Sequence, residues 1–321
     1  MSRSLPLSRR RLLASGLALP ALAALHACRS ESAPREPAVA PRRPREVGTR
    51  IDAQPTIEGA GVHLSRSLGS SALPLLDPFL MLDEFHSDRP EDYVKGFPSH
   101  PHRGFETVTY MIEGAMEHRD SLGNHGRLGP GSTQWMTAGR GIIHSEMPQQ
   151  ERGLMWGFQL WVNLPSSRKM TAPRYQDLAP ERIVELATAD GATVRLVAGE
   201  SNGQRGPVEG IVTAPQMLDV SLPSGVRFEQ PVPTTHNAFA YVFEGALLVG
   251  DRRVRVERGQ LAVLSGGDFV RVVGDPTARF LLLSGQPIGE PVKRYGPFVM
   301  NTEQELQQAV DDYRTGRLVS G

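Results

Sequence analysis

The chain has 321 residues, which is enough for one large domain or two ordinary ones. Its 33 glycines and 26 prolines, with only 6% aromatic residues, favour many short strands joined by turns over a helical bundle. Residues 1–50 carry ten Arg and three acids, so the rest of the chain is acidic although the formal net charge is zero. An acidic body argues against nucleic acid as a partner, and a single cysteine, Cys28, excludes an intrachain disulfide or a zinc site built on several thiolates.

Residues 1–28 have the pattern of an export signal with a lipobox. Residues 8–13 (SRRRLL) resemble a twin-arginine signal, and the apolar run 12–25 is shorter than the roughly 20 residues that a membrane span needs. Residues 25–28 (LHAC) resemble the lipobox of bacterial lipoproteins, in which the cysteine becomes lipidated. We expect an exported protein, held by a lipid anchor on Cys28 at the periplasmic side of the cell envelope. The alternative is an uncleaved N-terminal anchor.

The next segment, residues 29–54, is rich in Pro, Arg, Glu and Ala and predicts a disordered linker. From about residue 55 to residue 300, short apolar runs alternate with Gly, Pro, Asp and Asn, which predicts an antiparallel barrel or sandwich. One run is repeated, because residues 110–114 (YMIEG) return as residues 241–245 (YVFEG). The repeat indicates two related barrels in tandem, at residues 55–170 and 171–321.

The C-terminus has a helical pattern. Residues 302–305 (TEQE) have the form of a capping box, and Leu306, Ala309, Val310 and Tyr313 follow at helical spacing. We predict a helix over residues 303–315 that lies against a barrel. A frayed tail is the alternative.

Two pairs of polar residues are the candidate metal ligands. His100 and His102 are two residues apart, and His144 and Glu146 repeat that spacing. On a strand, residues i and i+2 point to the same face, so two such pairs on neighbouring strands would converge inside a barrel. Three imidazoles and a carboxylate suit iron(II), manganese, nickel, copper or zinc, and four protein ligands leave two positions of an octahedral ion open. Incidental strand histidines are the alternative.

Other histidines and the tryptophans have less specific patterns. His118 and His125 flank the turn 120–124 and are expected to be exposed. Trp135, Trp156 and Trp161 either pack in the core or line an aromatic substrate pocket.

A longer set of motifs resembles the pirin family, and the resemblance extends from about residue 55 to the end of the chain. The matching segments are residues 77–85 (DPFLMLDEF), 96–110 (GFPSHPHRGFETVTY), 129–131 (GPG), 134–146 (QWMTAGRGIIHSE), 160–165 (LWVNLP) and 296–302 (GPFVMNT).

The resemblance implies an all-β fold of two cupin (jelly-roll) barrels ending in a helix, with one divalent metal ion, Fe²⁺, in the N-terminal barrel. The family's metal ligands fall on His100, His102, His144 and Glu146. Glu106 is where a general cupin pattern places its carboxylate ligand, but the pirin pattern uses Glu146 in its place, so Glu106 is left out of the ligand set. Aligning the repeats puts Pro231 and Pro233 at the positions of His100 and His102, so the second barrel is expected to hold no metal, with His236 structural or on the surface.

The resemblance also implies a function, a metal-dependent dioxygenase of the quercetinase type. Its partners would be dioxygen and a small aromatic substrate, a flavonol or another chelating enol or catechol, and Glu146 would be the catalytic base. The alternative is a non-catalytic, redox-sensitive metal protein that binds a partner in the cell envelope. A different cupin reaction on a sugar or small acid is a third possibility. We expect a monomer.

Overall fold

The computed structural model describes residues 42–319. No helix in this range is long and apolar enough to cross a membrane. The predicted export signal, the lipid anchor on Cys28 and the first part of the predicted linker lie outside the described residues.

Short strands dominate the described chain, as the turn-rich composition predicted. In chain order they are β1 Pro44–Arg45, β2 Val47–Asp52, β3 Gln54–Glu58, β4 Val62–Leu68, β5 Phe79–Ser87, β6 Phe97–His102, β7 Phe105–Glu113, β8 Met116–Asp120, β9 His125–Leu128, β10 Thr133–Thr137, β11 Ile142–Pro148, β12 Met155–Asn163, β13 Arg174–Leu178, β14 Val184–Ala187, β15 Thr193–Ala198, β16 Glu200–Ser201, β17 Gln204–Arg205, β18 Gln216–Leu222, β19 Arg227–Pro231, β20 Asn237–Val249, β21 Val254–Glu257, β22 Gln260–Leu264, β23 Phe269–Gly285, β24 Lys293–Tyr295 and β25 Phe298–Met300. Three single-turn 3₁₀ helices (Pro90–Asp92, Ser166–Arg168 and Pro180–Arg182) and one α-helix, α1 (Glu303–Arg314), complete the elements.

The first barrel consists of two sheets. A seven-stranded sheet has the order β13-β10-β7-β12-β5-β4-β3, and a four-stranded sheet has the order β6-β11-β8-β9. Along β11, Ile142, His144 and Glu146 are buried while the residues between them are partly exposed. This period of two points alternate side chains into the barrel, including the polar ones that form the site.

The second barrel is one ten-stranded sheet that contains β1, β2, β14, β15 and β18–β23. Its two longest strands, β20 and β23, pair with each other along most of their length, with register shifts between Val242 and Glu244 and between Gly245 and Leu247. Its interior is filled by aliphatic and aromatic side chains such as Leu218, Val242 and Phe280. The predicted all-β architecture of two barrels and a C-terminal helix is confirmed.

The repeated motif lies at the contact between the barrels. Tyr110 on β7 donates its hydroxyl to Asp219 on β18 at 2.7 Å, and Tyr241 on β20 donates to Glu84 on β5 at 2.6 Å. Each barrel therefore supplies one tyrosine and one carboxylate to the other. Large apolar side chains from both barrels surround these pairs, among them Phe79 and Phe239, whose ring centroids are 5.1 Å apart.

The predicted linker is wrong over its last residues, because strands begin at Pro44 instead of after residue 54. Val47 and Ile51 are buried, and β2 pairs antiparallel with β22 of the second barrel. Arg45 is also buried, where it donates to four backbone carbonyls, including those of Pro233 at 2.7 Å and His236 at 2.9 Å. Composition indicated a solvated arginine, but here carbonyl oxygens replace water around the guanidinium.

The predicted barrel boundaries, 55–170 and 171–321, are also wrong in detail. β13 pairs with β10, so the first barrel continues to Leu178. β1 and β2 precede the first barrel in sequence but belong to the second. β13 therefore completes the first barrel although it lies within the residues predicted for the second, and β1 and β2 complete the second barrel although they lie before the first. No local pattern in the sequence indicates these pairings.

The C-terminal segment returns to the first barrel. α1 begins at the N-cap Thr302, whose side chain and that of Glu305 form the predicted capping box. Arg103, in the turn after β6, is 2.8 Å from Asp312 of the helix. The predicted helix is therefore confirmed, and the barrel it packs against is the first one.

Candidate metal centre

The pairing of two strands brings the predicted histidines together. β6 and β11 are antiparallel, with His144 opposite His100 and Ile142 opposite His102. Directly opposed residues of an antiparallel pair share a face of the sheet, so all three imidazoles lie on the inner face. Their ring centroids are 4.5–5.0 Å apart.

The nitrogen positions fit a metal ion. One ligand nitrogen from each of His100, His102 and His144 lies within 4.8 Å of the others. The Nε2 atoms of His100 and His102 are 3.0 Å apart. Two nitrogens at about 2.1 Å from one ion and at right angles to each other would be separated by about this distance.

The hydrogen bonds and burial of the ring nitrogens favour metal ligation too. His100 Nδ1 is 2.9 Å from the carbonyl oxygen of Pro98; if Nδ1 carries the proton and donates it there, Nε2 keeps a lone pair facing the cluster. Burial, followed by the neighbouring imidazoles, lowers the pKa of His102 and of His144 well below the usual value, so both rings are neutral at pH 7. Neither nitrogen of buried His144 has a hydrogen-bond partner among the described residues, and an ion would satisfy one of them.

Glu146, the fourth predicted ligand, lies in the same cavity but is not part of the three-histidine group. Its carboxylate accepts hydrogen bonds from Thr109 Oγ1 at 2.6 Å and from Gln159 Nε2 at 2.8 Å. The pairing of β11 with β6 shifts register between His144 and Glu146, so that Glu146 lies opposite Phe97. The assignments of Glu146 as a ligand and as the catalytic base stay predictions.

Glu106 does not contribute to the lining of this cavity. It is buried, and it accepts hydrogen bonds from Trp135 Nε1 at 3.2 Å and from Thr137 Oγ1 at 2.7 Å. Burial raises the pKa of Glu106 above its usual value. Its omission from the ligand set is consistent with this position.

The expectation for His118 was wrong, because only 1% of its surface is exposed. It lies opposite Glu146 on β8, with its ring centroid 4.8 Å from that of Tyr175. Neither ring nitrogen has a hydrogen-bond partner among the described residues. The alternation of Met116 and His118 along β8 was the signal that would have revealed an inward-facing side chain. His125, at the start of β9, is exposed as predicted.

A cavity of about 490 Å³ opens beside the histidines. His100, His102, Glu146, Gln159, Trp161 and Arg294 are among the residues that line it. Trp161 is the one of the three tryptophans that reaches the cavity, and its ring packs edge-on against that of His102 with centroids 5.3 Å apart. Trp135 and Trp156 instead donate hydrogen bonds to buried carboxylates. The prediction of core packing therefore applies to these two, and the prediction of a pocket-lining residue applies to Trp161.

The second barrel shows a different environment around its histidine. His236 is buried, and its Nδ1 is 3.2 Å from Ser284 Oγ. Within residues 42–319, the histidine cluster of the first barrel is the group with metal-ligand spacing. Fold and site together define a two-barrel protein whose first barrel can hold a metal ion.

Comparison with known proteins identifies the family. Residues 61–162 match the pirin family model, and residues 217–319 match the model of the pirin C-terminal cupin domain. A pirin-like protein of Caulobacter vibrioides is 50% identical over 273 residues, which cover 83% of this chain and 96% of that protein. The chain belongs to the pirin family, and its two barrels are cupin domains.

Other relatives carry an enzyme name. A Pseudomonas aeruginosa protein, whose name gives quercetin 2,3-dioxygenase only as a proposed activity, is 49% identical over 281 residues, covering 86% of this chain and 99% of that protein. The crystal structure of quercetin 2,3-dioxygenase from Acinetobacter baumannii superposes with a TM-score of 0.80 at 34% identity, covering 86% of this chain and 99% of that one.

Proposed function

We propose that the protein is a metal-dependent dioxygenase of the quercetinase type, acting on a flavonol or another chelating enol or catechol, with Fe²⁺ as the metal. The observation that carries the proposal is the three-histidine cluster, with His102 and His144 buried and His100 partly buried, at the wall of a cavity large enough for a small aromatic molecule. The names of the similar proteins point to the same activity.

We assign a separate role to each group of residues in the site. His100, His102 and His144 would hold the ion, which supplies Lewis-acid and redox chemistry toward the substrate and dioxygen. Glu146 would accept the enol or catechol proton, while Thr109 and Gln159 fix the orientation of its carboxylate. The buried aromatic wall of Phe105 and Trp161 would keep water from the reacting face.

Dioxygen uptake tests the activity. We would load the purified full-length chain with iron(II) anaerobically, add quercetin and record oxygen consumption against quercetin loss. We expect matched consumption in the wild type and in His125→Ala, whose side chain is exposed, and none in His102→Ala, which lacks a metal ligand. A wild-type protein that holds iron but consumes no dioxygen would contradict the proposal and favour the non-catalytic, redox-sensitive binding protein.

The role of Glu146 needs its own variant. Glu146→Gln keeps the shape of the side chain and removes the proton acceptor, so turnover should fall by about a hundredfold or more. Metal content is measured in parallel, because Glu146 is also a predicted ligand. Full turnover with full metal content in this variant would exclude Glu146 as the base.

The remaining expectations concern location and assembly. We propose that the protein is a monomer exported to the periplasmic side of the envelope, held there by a lipid on Cys28 and bound to no nucleic acid. Metabolic labelling with a radioactive fatty acid tests the anchor, since Cys28→Ser should abolish the label and release the protein from membranes.

A further inference from the structure

Two arginines, Arg66 and Arg294, line the cavity outside the histidine cluster. Arg294 on β24 lines the same cavity, at the side formed by the returning C-terminal segment. Its guanidinium stacks over the ring of Trp161, with Cζ 4.6 Å from the ring centroid. The side chain is exposed, so it can meet a molecule that enters.

Arg294 makes no ion pair within 4 Å among the described residues, although Asp83, Glu58 and Arg66 act on its charge at longer range. Its side chain donates to the carbonyl oxygen of Gly296 at 3.3 Å and contacts Met81 Sδ at 3.9 Å, and neither partner carries a charge. A guanidinium remains protonated at every physiological pH. Arg294 therefore has donors available for an anion.

The neighbouring carboxylates are already paired with a different arginine. Arg66 binds Asp83 through two hydrogen bonds of 2.8 and 2.7 Å, and the same arginine lies 3.0 Å from Glu58. A two-pronged arginine–carboxylate pair is strong and directional. Arg66 thus takes the direct contacts of both acids, and Arg294 feels them only at longer range.

Trp161 links this cation to the metal cluster. The indole contacts the guanidinium of Arg294 on one side and the imidazole of His102 on another. A ligand that binds at the three histidines and extends along Trp161 would come within reach of Arg294. An aromatic ring system with a polar substituent at each end could contact the histidine cluster with one substituent and the Arg294 guanidinium with the other.

We infer that the substrate carries a carboxylate on the side opposite its metal-chelating group, and that Arg294 selects for it. The inference rests on the proposed function, because it concerns a ligand of the same metal centre. An uncharged flavonol would leave the guanidinium without a partner, whereas a dihydroxybenzoate or a carboxylated enol would fill both ends of the cavity.

Two probes of similar shape, one with a carboxylate and one with an uncharged amide, test this selectivity. 3,4-Dihydroxybenzoic acid and 3,4-dihydroxybenzamide have the same chelating hydroxyls and similar size, and Zn²⁺ holds them without redox chemistry. We would measure the binding of each probe to the Zn²⁺-loaded full-length chain by calorimetry at neutral pH. The wild type should bind the acid at least about tenfold more tightly than the amide, the effect of one charge-assisted contact.

Substitutions on β24 assign the preference to one side chain. Arg294→Met should bind the acid and the amide about equally, and Arg294→Lys should keep part of the preference. Lys293→Met is the matched control, because Lys293 is the next cation on the strand and pairs with Glu303 at 3.1 Å outside the cavity. This variant should keep the wild-type preference.

The outcomes separate this inference from the proposed function. Equal binding of the two probes by the wild type, an unchanged preference in Arg294→Met, or no binding of either probe would overturn the inference. Dioxygen uptake with quercetin but no preference for the acid would contradict only the inference. A preference for the acid in a protein that never consumes dioxygen would contradict only the dioxygenase proposal.

Discussion

At the scale of single residues, a buried lysine cross-links the first barrel beside the candidate metal centre. Lys169 is 1% exposed, and its ammonium donates to Gly104 O at 2.8 Å, Asn163 Oδ1 at 2.7 Å and Val299 O at 3.0 Å. These three bonds join the turn after His102, the end of β12 and the C-terminal segment. Burial nevertheless lowers the pKa of Lys169 to about 8.

The lowered pKa of Lys169 predicts how stability changes with pH. The folded chain releases this proton near pH 8 and the unfolded chain near pH 10.4, so the unfolded state binds more protons between these values. The contribution of Lys169 to the unfolding free energy should therefore rise from pH 8 to pH 10, by at most about 1.4 kcal/mol per pH unit. Below pH 8 it should be constant.

Urea unfolding at several pH values measures this contribution. The difference in unfolding free energy between the wild type and Lys169→Met should grow with pH above 8. Lys95→Met changes an exposed lysine and should give a constant difference. A constant difference for Lys169→Met as well would show that the buried amine keeps an ordinary pKa.

At the scale of elements, the turn between β6 and β7 holds the histidine pair against the C-terminal segment. Gly104 in this turn has φ +90°, and a Cβ there would collide with the carbonyl oxygen of Val299 and the sulfur of Met300. β25 passes close to this turn, so a side chain at residue 104 would push the two segments apart.

Gly104→Ala should therefore destabilise the protein more than its backbone angle alone requires. Gly123 has φ +87° but nothing within 4 Å of an added Cβ, so Gly123→Ala isolates the backbone cost, about 1–2 kcal/mol. We expect Gly104→Ala to lower the free energy of unfolding by about 3 kcal/mol or more, because the steric clash adds to the backbone strain. If urea unfolding showed the same loss of unfolding free energy in both variants, β25 would be able to move away from the added Cβ without destabilising the protein.

At the scale of the whole molecule, the two barrels are joined by the reciprocal tyrosine–carboxylate pairs. The pairs differ in their remaining partners. Asp219 also receives two hydrogen bonds from Arg279, at 3.0 and 2.7 Å. By contrast, the Glu84 oxygen that faces Tyr241 receives a hydrogen bond from the Tyr241 hydroxyl. Trp156 binds the other oxygen of Glu84, at 2.8 Å.

This asymmetry predicts unequal effects of removing the two hydroxyls. Tyr241→Phe leaves a buried carboxylate oxygen short of a donor and should cost about 2–3 kcal/mol, while Tyr110→Phe should cost about 1 kcal/mol. Tyr295→Phe, at an exposed position, should cost almost nothing. Urea unfolding would contradict this account if Tyr110→Phe were the more costly of the first two.

The sequence by itself determined the all-β class, the pair of barrels, the capped C-terminal helix and the three histidines of the candidate metal centre. These features depend on local rules. Turn residues divide the strands, alternation assigns their faces, and a histidine two residues from another must share its side of a strand.

Tertiary structure alone decided which strands complete which barrel and that Arg45 and His118 are buried. It also decided that Glu146 lies beside the histidine group rather than within it, and that Arg294 lines the cavity. Each of these depends on contacts between residues far apart in sequence: His236 with Arg45, Trp161 with Arg294, β13 with β10. A polar side chain is stable in the interior only when distant partners replace water around it. The local sequence therefore cannot show which of its polar residues will be buried.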